Sequence, residues 1–235
     1  MRGRPGRDVM DFDPGVITRN LSYLLWGRLA EGDPGGLLLT ILMAVSAGAL
    51  ALVAGVGLAL AAWRCPGTIR RLLFLSADLI RGIPLIFIIF WLYFLLPALL
   101  GGDVPGAAPV ILALAWFSSA AVMYSTLAGL EALPKGQREA ALASGLSEGQ
   151  ALRWVLLPQT LRNVMPSYVA LLVSLVKDTS LAFIVNVTEL STLAGQVNNR
   201  TQLYPMEIFL FTAALYFLLC RAVSLAGGRL ARIRH

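Results

Sequence analysis

The chain has 235 residues, 57% of them hydrophobic and only 14% charged, with a mean hydropathy of +0.74. Soluble domains carry about 25% charged residues, so too little polar surface exists here to cover a water-soluble globule. The net charge of +6 is spread as single or paired Lys and Arg between apolar runs, which excludes a basic nucleic-acid face and leaves orientation in a membrane as its reading.

In chain order, Met1 to Asp13 is polar and holds no apolar run, so a cleaved leader is not expected. Val16 to Leu29 mixes apolar residues with Arg19, Asn20 and Arg28. That mixture suits a helix lying in the membrane interface, or else an irregular polar leader, within an extracytoplasmic N-terminal segment 1–36. The rest, 37–235, reads as one transmembrane domain. Its expected spans are Leu37 to Trp63, Leu72 to Leu100, Val104 to Leu130, Asn163 to Thr188 and Leu203 to Ala226; a bilayer core is crossed by about 20 apolar residues.

Five spans put the termini on opposite sides. Arg64, Arg70 and Arg71 follow the first span, Lys135, Arg138, Arg153 and Arg162 the third, and Arg221, Arg229, Arg232 and Arg234 close the fifth. Between the other spans only Arg200 occurs. The positive-inside bias therefore predicts a cytoplasmic C-terminus and a cytoplasmic loop after span three, with the N-terminus outside. Arg2, Arg4, Arg7, Arg19 and Arg28 run against that bias, offset in net charge by Asp8, Asp11, Asp13, Glu31 and Asp33. Cys65 and Cys220 fall near span ends and read as free thiols.

The longest polar stretch, 131–162, has the grammar of two short helices at an angle. Gln137 to Ser144 is rich in helix-forming Ala. Gly145 supplies a left-handed stop. Ser147 with Gln150 has the capping-box spacing, Leu146 can staple against Ala151, and Pro158 is expected to end or kink the second helix. A short helix with exposed Ala residues suits the groove of a partner protein.

Glu139-Ala140-Ala141, Gly145, Val155 and Leu157-Pro158 match the pattern EAA-x3-G-x9-I-x-L-P, with Val in place of Ile. From Leu37 to the C-terminus the chain resembles the permease subunits of binding-protein-dependent ABC importers. Arg81-Gly82-Ile83-Pro84-Leu85, Lys135-Gly136-Gln137 and Lys177-Asp178-Thr179-Ser180-Leu181 are similar to the polar amino acid branch. Phe12-Asp13 and Tyr23-Leu24-Leu25 are similar to its glutamate/aspartate subgroup. The resemblance implies an all-α integral membrane protein of the type I ABC importer permease kind, with about five transmembrane helices and a cytoplasmic coupling helix. It implies a subunit of the bacterial inner membrane that forms the translocation pathway for amino acids delivered by a solute-binding protein. The partners it implies are cytoplasmic ABC ATPase subunits, that extracytoplasmic binding protein, and a second permease copy as homodimer or heterodimer. Coupling to the ATPase is carried over to Glu139, Ala140, Ala141, Gly145 and Leu146. Tyr124 and Leu127 stand where relatives often carry a Glu and an Arg, which leaves acidic cargo unsupported.

The chain has no G-x4-G-K-[ST] phosphate loop, so no cofactor is expected on it, and ATP and Mg belong to the partner ATPase. An intramembrane enzyme is disfavoured, because the one His is His235 and neither an HExxH nor a G-x-S-x-G pattern occurs. A self-contained secondary carrier or channel is the alternative, and it leaves loop 131–162 without a purpose.

Ionisable groups deep in an apolar span are costly and default to functional candidates. Arg81 follows Leu72 by nine residues, about 13 Å along a helix. Lys177 and Asp178 lie halfway along the fourth span. With Pro84, Thr179 and Ser180 they form the candidate pathway or gate set. An equally weighted alternative has Arg81 snorkelling to the interface and Lys177 and Asp178 locking a helix break. An Arg81–Asp178 ion pair is the expected partnership.

Overall fold

The computed structural model describes residues 14–233 apart from 66, 103 and 203, with side chains to 229. Arg2, Arg4, Arg7, Phe12, Asp13, Leu203, Arg234 and His235 lie outside the described residues, as does the side chain of Arg232. In chain order the elements are α1 (Gly15–Trp26) and a small hairpin of β1 (Gly27–Arg28) and β2 (Asp33–Pro34), then α2 (Gly36–Arg64), α3 (Thr68–Gly82), α4 (Leu85–Leu100) and α5 (Ala107–Glu131). There follow α6 (Lys135–Ala143), α7 (Glu148–Gln150), α8 (Leu157–Asn163), α9 (Met165–Asp178), α10 (Leu190–Thr201) and α11 (Pro205–Ile233).

Small residues set the centre. Along α2, Ala44, Ala47, Gly48, Ala51, Ala59 and Ala62 are buried; α5 turns Ala113, Ala115, Ser119 and Ala120 inward. In lipid, helices associate by close packing rather than by expulsion of water, and small side chains permit that approach. α5 is the axis: 56% of its apolar window is enclosed, against 11% for the span Pro205–Arg229. The apolar residues left outside, such as Val53, Leu99 and Phe217, face what would be hydrocarbon.

Four expected spans appear as long apolar helices: α2, α5, Met165–Val185 and Pro205–Arg229. The remaining one, Leu72 to Leu100, counts as a fifth span only as a bent pair. It is two helices, α3 and α4, bent by 98°. Pro84 has no N–H to donate and biases the residue before it away from helix, and Ile83 is extended at φ −94°, ψ 131°. The two halves also differ in kind, α3 carrying charges along one side and α4 being almost wholly apolar.

The N-terminal segment packs onto the body. Val16 and Leu24 of α1 join Leu190, Leu193, Val197 and Ile208 in one buried cluster. The chain then enters α2 through Gly36, whose N–H donates to the Thr188 carbonyl at 2.8 Å. Gly36 sits at φ +61°, and a Cβ there would lie 2.1 Å from the Leu24 carbonyl oxygen, so only glycine fits both the left-handed backbone and the gap.

Candidate functional site

Loop 131–162 folds into a rigid elbow. α6 ends in the two hydrogen bonds of a Schellman motif: the Gly145 N–H donates to the Leu142 carbonyl (3.0 Å) and the Leu146 N–H to the Ala141 carbonyl (3.2 Å). Gly145 takes the left-handed conformation this requires, at φ +85°. The next helix opens on a reciprocal capping box, in which the Gln150 N–H donates to Ser147 Oγ (3.3 Å) and the Ser147 N–H to Gln150 Oε1 (2.9 Å). Arg138 and Glu148 close a two-pronged ion pair across the elbow, with Nε donating to Oε2 at 3.0 Å. Gln159 Nε2 donates to Gln137 Oε1 at 3.1 Å and ties the arms a second time.

Of the end or kink expected at Pro158, the structure excludes the end, since the helix runs on through it. Ala151–Leu156 widens into a π-helical turn, and Pro158 falls in the first turn of α8. There the Leu157 N–H reaches back to the Leu152 carbonyl, so the wider turn absorbs the bond and the space that a proline denies an α-helix. Of the five residues singled out in this loop, Ala141 is buried, Leu146 is half-buried, and Glu139, Ala140 and Gly145 are exposed. A cavity of about 750 Å³ lies beneath the elbow, lined by Trp63, Arg64, Arg70, Glu131, Lys135 and Arg138 among others.

The residues proposed for the pathway separate into two places. Arg81 closes α3 and is exposed. Its guanidinium lies 5.2 Å from the centre of the Tyr124 ring, and no ion pair joins it to Asp178, contrary to expectation. The bend after Gly82 leaves Arg81 at a helix end on the α5 side, whereas Asp178 ends α9. Pro84 is exposed at the bend itself. At the other place α9 stops at Asp178 and a 3₁₀ turn, Thr179–Val185, carries the chain on. The Thr179 hydroxyl donates to the Val176 carbonyl and the Ser180 hydroxyl to the Lys177 carbonyl, both at 2.7 Å. These bonds re-satisfy carbonyls freed where the helix changes type. Lys177 is exposed and Asp178 half-buried, so the adjacent charges meet different surroundings.

Two carboxylates escaped the sequence reading. Asp78 accepts a hydrogen bond from the Tyr124 hydroxyl at 2.5 Å; its three-residue spacing to Arg81 was the available signal. Glu189 is fully buried and caps α10. It accepts from the Ser191 N–H (2.9 Å), the Thr192 N–H (2.8 Å), the Thr192 hydroxyl (3.1 Å) and the Tyr216 hydroxyl (2.8 Å). Burial pushes the Glu189 carboxyl above its ordinary range, and these donors pull it back down. The signal here was a carboxylate three residues before Thr192, in N-cap position.

Comparison with known proteins places this architecture. Residues 51–232 match the family model described as binding-protein-dependent transport system inner membrane component. The probable glutamine ABC transporter permease protein GlnP of Bacillus subtilis (strain 168) is 38% identical over 164 residues, covering 69% of this chain and 75% of its own length. The glutamate/aspartate import permease protein GltK of Escherichia coli O157:H7 is 28% identical, with 95% and 99% covered. Among solved structures, an amino acid ABC transporter crystallised with histidines superimposes with a TM-score of 0.80 at 23% identity, covering 95% of this chain and 99% of that one. The inward-facing MetNI methionine ABC transporter gives 0.74 at 22% identity, with 83% and 93% covered. With most of its length inside the family model and its helices laid out as in these importers, the chain belongs to the binding-protein-dependent transport system inner membrane components, as a permease subunit that leaves ATP hydrolysis to a separate protein.

Proposed function

We propose that this permease forms half of the translocation pathway of an ATP-driven importer for α-amino acids. A solute-binding protein delivers the cargo outside, and loop 131–162 transmits the ATPase cycle from the cytoplasm. The observation that carries this reading is the elbow. A surface loop of no purpose has little need of a Schellman stop, a capping box and two cross-ties, whereas a force-transmitting contact must be stiff. Glu139 and Ala140 are the exposed contact residues, Ala141 is the buried base of the helix, and Gly145 and Leu146 set the angle. Relatives named for glutamine, arginine and glutamate/aspartate support the amino acid class. ATP and Mg act on the partner. A second permease, identical or related, completes the pathway.

The basic residues of the elbow and the C-terminal helix support a cytoplasmic side for both, with the N-terminus outside. Lys177, Asp178, Thr179 and Ser180 then mark a helix break on the pathway side. The test is reconstitution with the ATPase and binding protein in proteoliposomes. A cysteine at Ala140 crosslinks to the ATPase, and ATP drives uptake of labelled L-amino acids. Uptake driven instead by an ion gradient, with no ATPase bound, would establish the secondary carrier.

A further inference from the structure

The helix α3 has three faces. At about 100° per residue, Leu73, Ala77 and Ile80 turn toward the bundle. Ile69, Leu72, Leu75 and Leu79 form an exposed apolar side. Arg70, Phe74, Asp78 and Arg81 share a third arc of about 80°. An apolar side and a separate ionisable side mark an amphipathic helix whose charges face water or a polar partner and not lipid.

Within that third arc the charges are treated differently. Arg70 is neutralised by Glu131, at 2.7 Å. Asp78 and Arg81 lie three residues apart yet form no ion pair with each other; both lean on Tyr124 of α5 instead. The phenol donates its single proton to Asp78 Oδ1 (2.5 Å), leaving the other carboxylate oxygen open. Arg81 stacks on the ring face at 5.2 Å, a contact that uses none of its N–H donors. Both side chains are exposed.

An open carboxylate and an open guanidinium, whose Cβ atoms are about 5–6 Å apart on one helix face, complement a ligand with an ammonium and a carboxylate on one carbon. We infer that Asp78 and Arg81, backed by Tyr124, form a binding step for the zwitterionic backbone of the transported amino acid. Arg81 takes the α-carboxylate with its paired N–H donors, and Asp78 takes the α-ammonium. The step reads the part common to all α-amino acids and leaves the side chain free. It rests on the amino acid importer reading above.

The test uses the permease–ATPase complex in nanodiscs, without binding protein, and a panel of the standard L-amino acids, each compared with its methyl ester and its N-acetyl form. Wild type is expected to prefer the free amino acid over both derivatives by at least about tenfold, one charge-assisted contact being lost in each. Arg81→Gln should lose the discrimination against the ester but keep that against the N-acetyl form. Asp78→Asn should do the reverse. Arg81→Lys and Asp78→Glu, which keep the charges, should retain both preferences and serve where the neutral variants fail to assemble. Tyr124→Phe keeps both charges and the ring, and should retain both as well. The inference is overturned if the neutral variants bind like wild type, or if Tyr124→Phe and both neutral variants lose the two preferences together, which is the behaviour of a structural latch. It is also overturned if the charge variants break only the pairing of two permeases. A wild-type complex that binds no amino acid, and imports none with its binding protein, overturns the importer reading too. Import by wild type with unaltered preferences in the variants overturns this inference alone.

Discussion

At the scale of single residues, two positions tie local conformation to function. Gly145 sits at φ +85°, and a Cβ added there would meet nothing within 4 Å, so substitution is a matter of backbone conformation and not of crowding. Gly145→Asp costs about 1 kcal/mol in a left-handed position and adds charge to the docking face. The expected outcome is unchanged membrane insertion with ATPase copurification reduced about fivefold or more; normal copurification and uptake would remove the elbow from the coupling role. Glu189 carries a pH dependence. Its folded carboxyl titrates above the ordinary 4.5 because it is buried, so its contribution is fully present below that value and is lost as pH rises through the raised one. Glu189→Gln cannot ionise. It should lower stability by about 1–3 kcal/mol, through an amide group facing N–H donors, while abolishing the part of the stability loss that accompanies rising pH. Thermal unfolding of the purified protein between about pH 4 and pH 8 reads both effects, and an undiminished slope in the variant would assign it to another group.

At the scale of elements, the bend between α3 and α4 decides which surfaces the second apolar stretch presents. A straight helix from Leu72 to Leu100 would carry Asp78 and Arg81 into hydrocarbon. The 98° bend sets them on a separate amphipathic helix. Pro84→Ala restores an N–H donor and relieves Ile83 of its extended bias, so the two helices should sample straighter arrangements. Spin labels at Leu75 and Leu99 should then show a broadened distance distribution, and uptake should fall. An unchanged distribution would mean that packing against α5, and not Pro84, holds the angle. The elbow shows the same division of labour. Its exposed Arg138–Glu148 pair adds little stability by itself, and the stiffness comes from the backbone bonds of the Schellman stop and the capping box.

At the scale of the whole molecule, the orientation argument is open to direct measurement. In a variant with Cys65 and Cys220 replaced by Ser, a cysteine at Gly102 should react with an impermeant thiol reagent added outside. One at Gln137 should react only after permeabilisation. The reverse pattern would turn the molecule over and place the elbow away from any cytoplasmic ATPase.

Much of this was legible in the residues themselves. Membrane residence, four of the spans, the left-handed Gly145 and the capping box of Ser147 and Gln150 are consequences of composition, run length and local backbone preference, which act within a few residues of chain. The π-helical turn before Pro158 was not legible, because a proline's local effect is to break a helix and only the surrounding packing selects the wider turn. The partners of charged groups were not legible either. Arg81 and Asp178 form no ion pair, Asp78 meets Tyr124 across 46 residues, and Glu189 gathers Tyr216 from α11 and packs beside Thr40 of α2. Hydropathy is a sum along the chain and says where a helix crosses, whereas the partner of a charge depends on helix rotation and crossing, which follow from close packing between segments distant in sequence. Only the tertiary structure decided those.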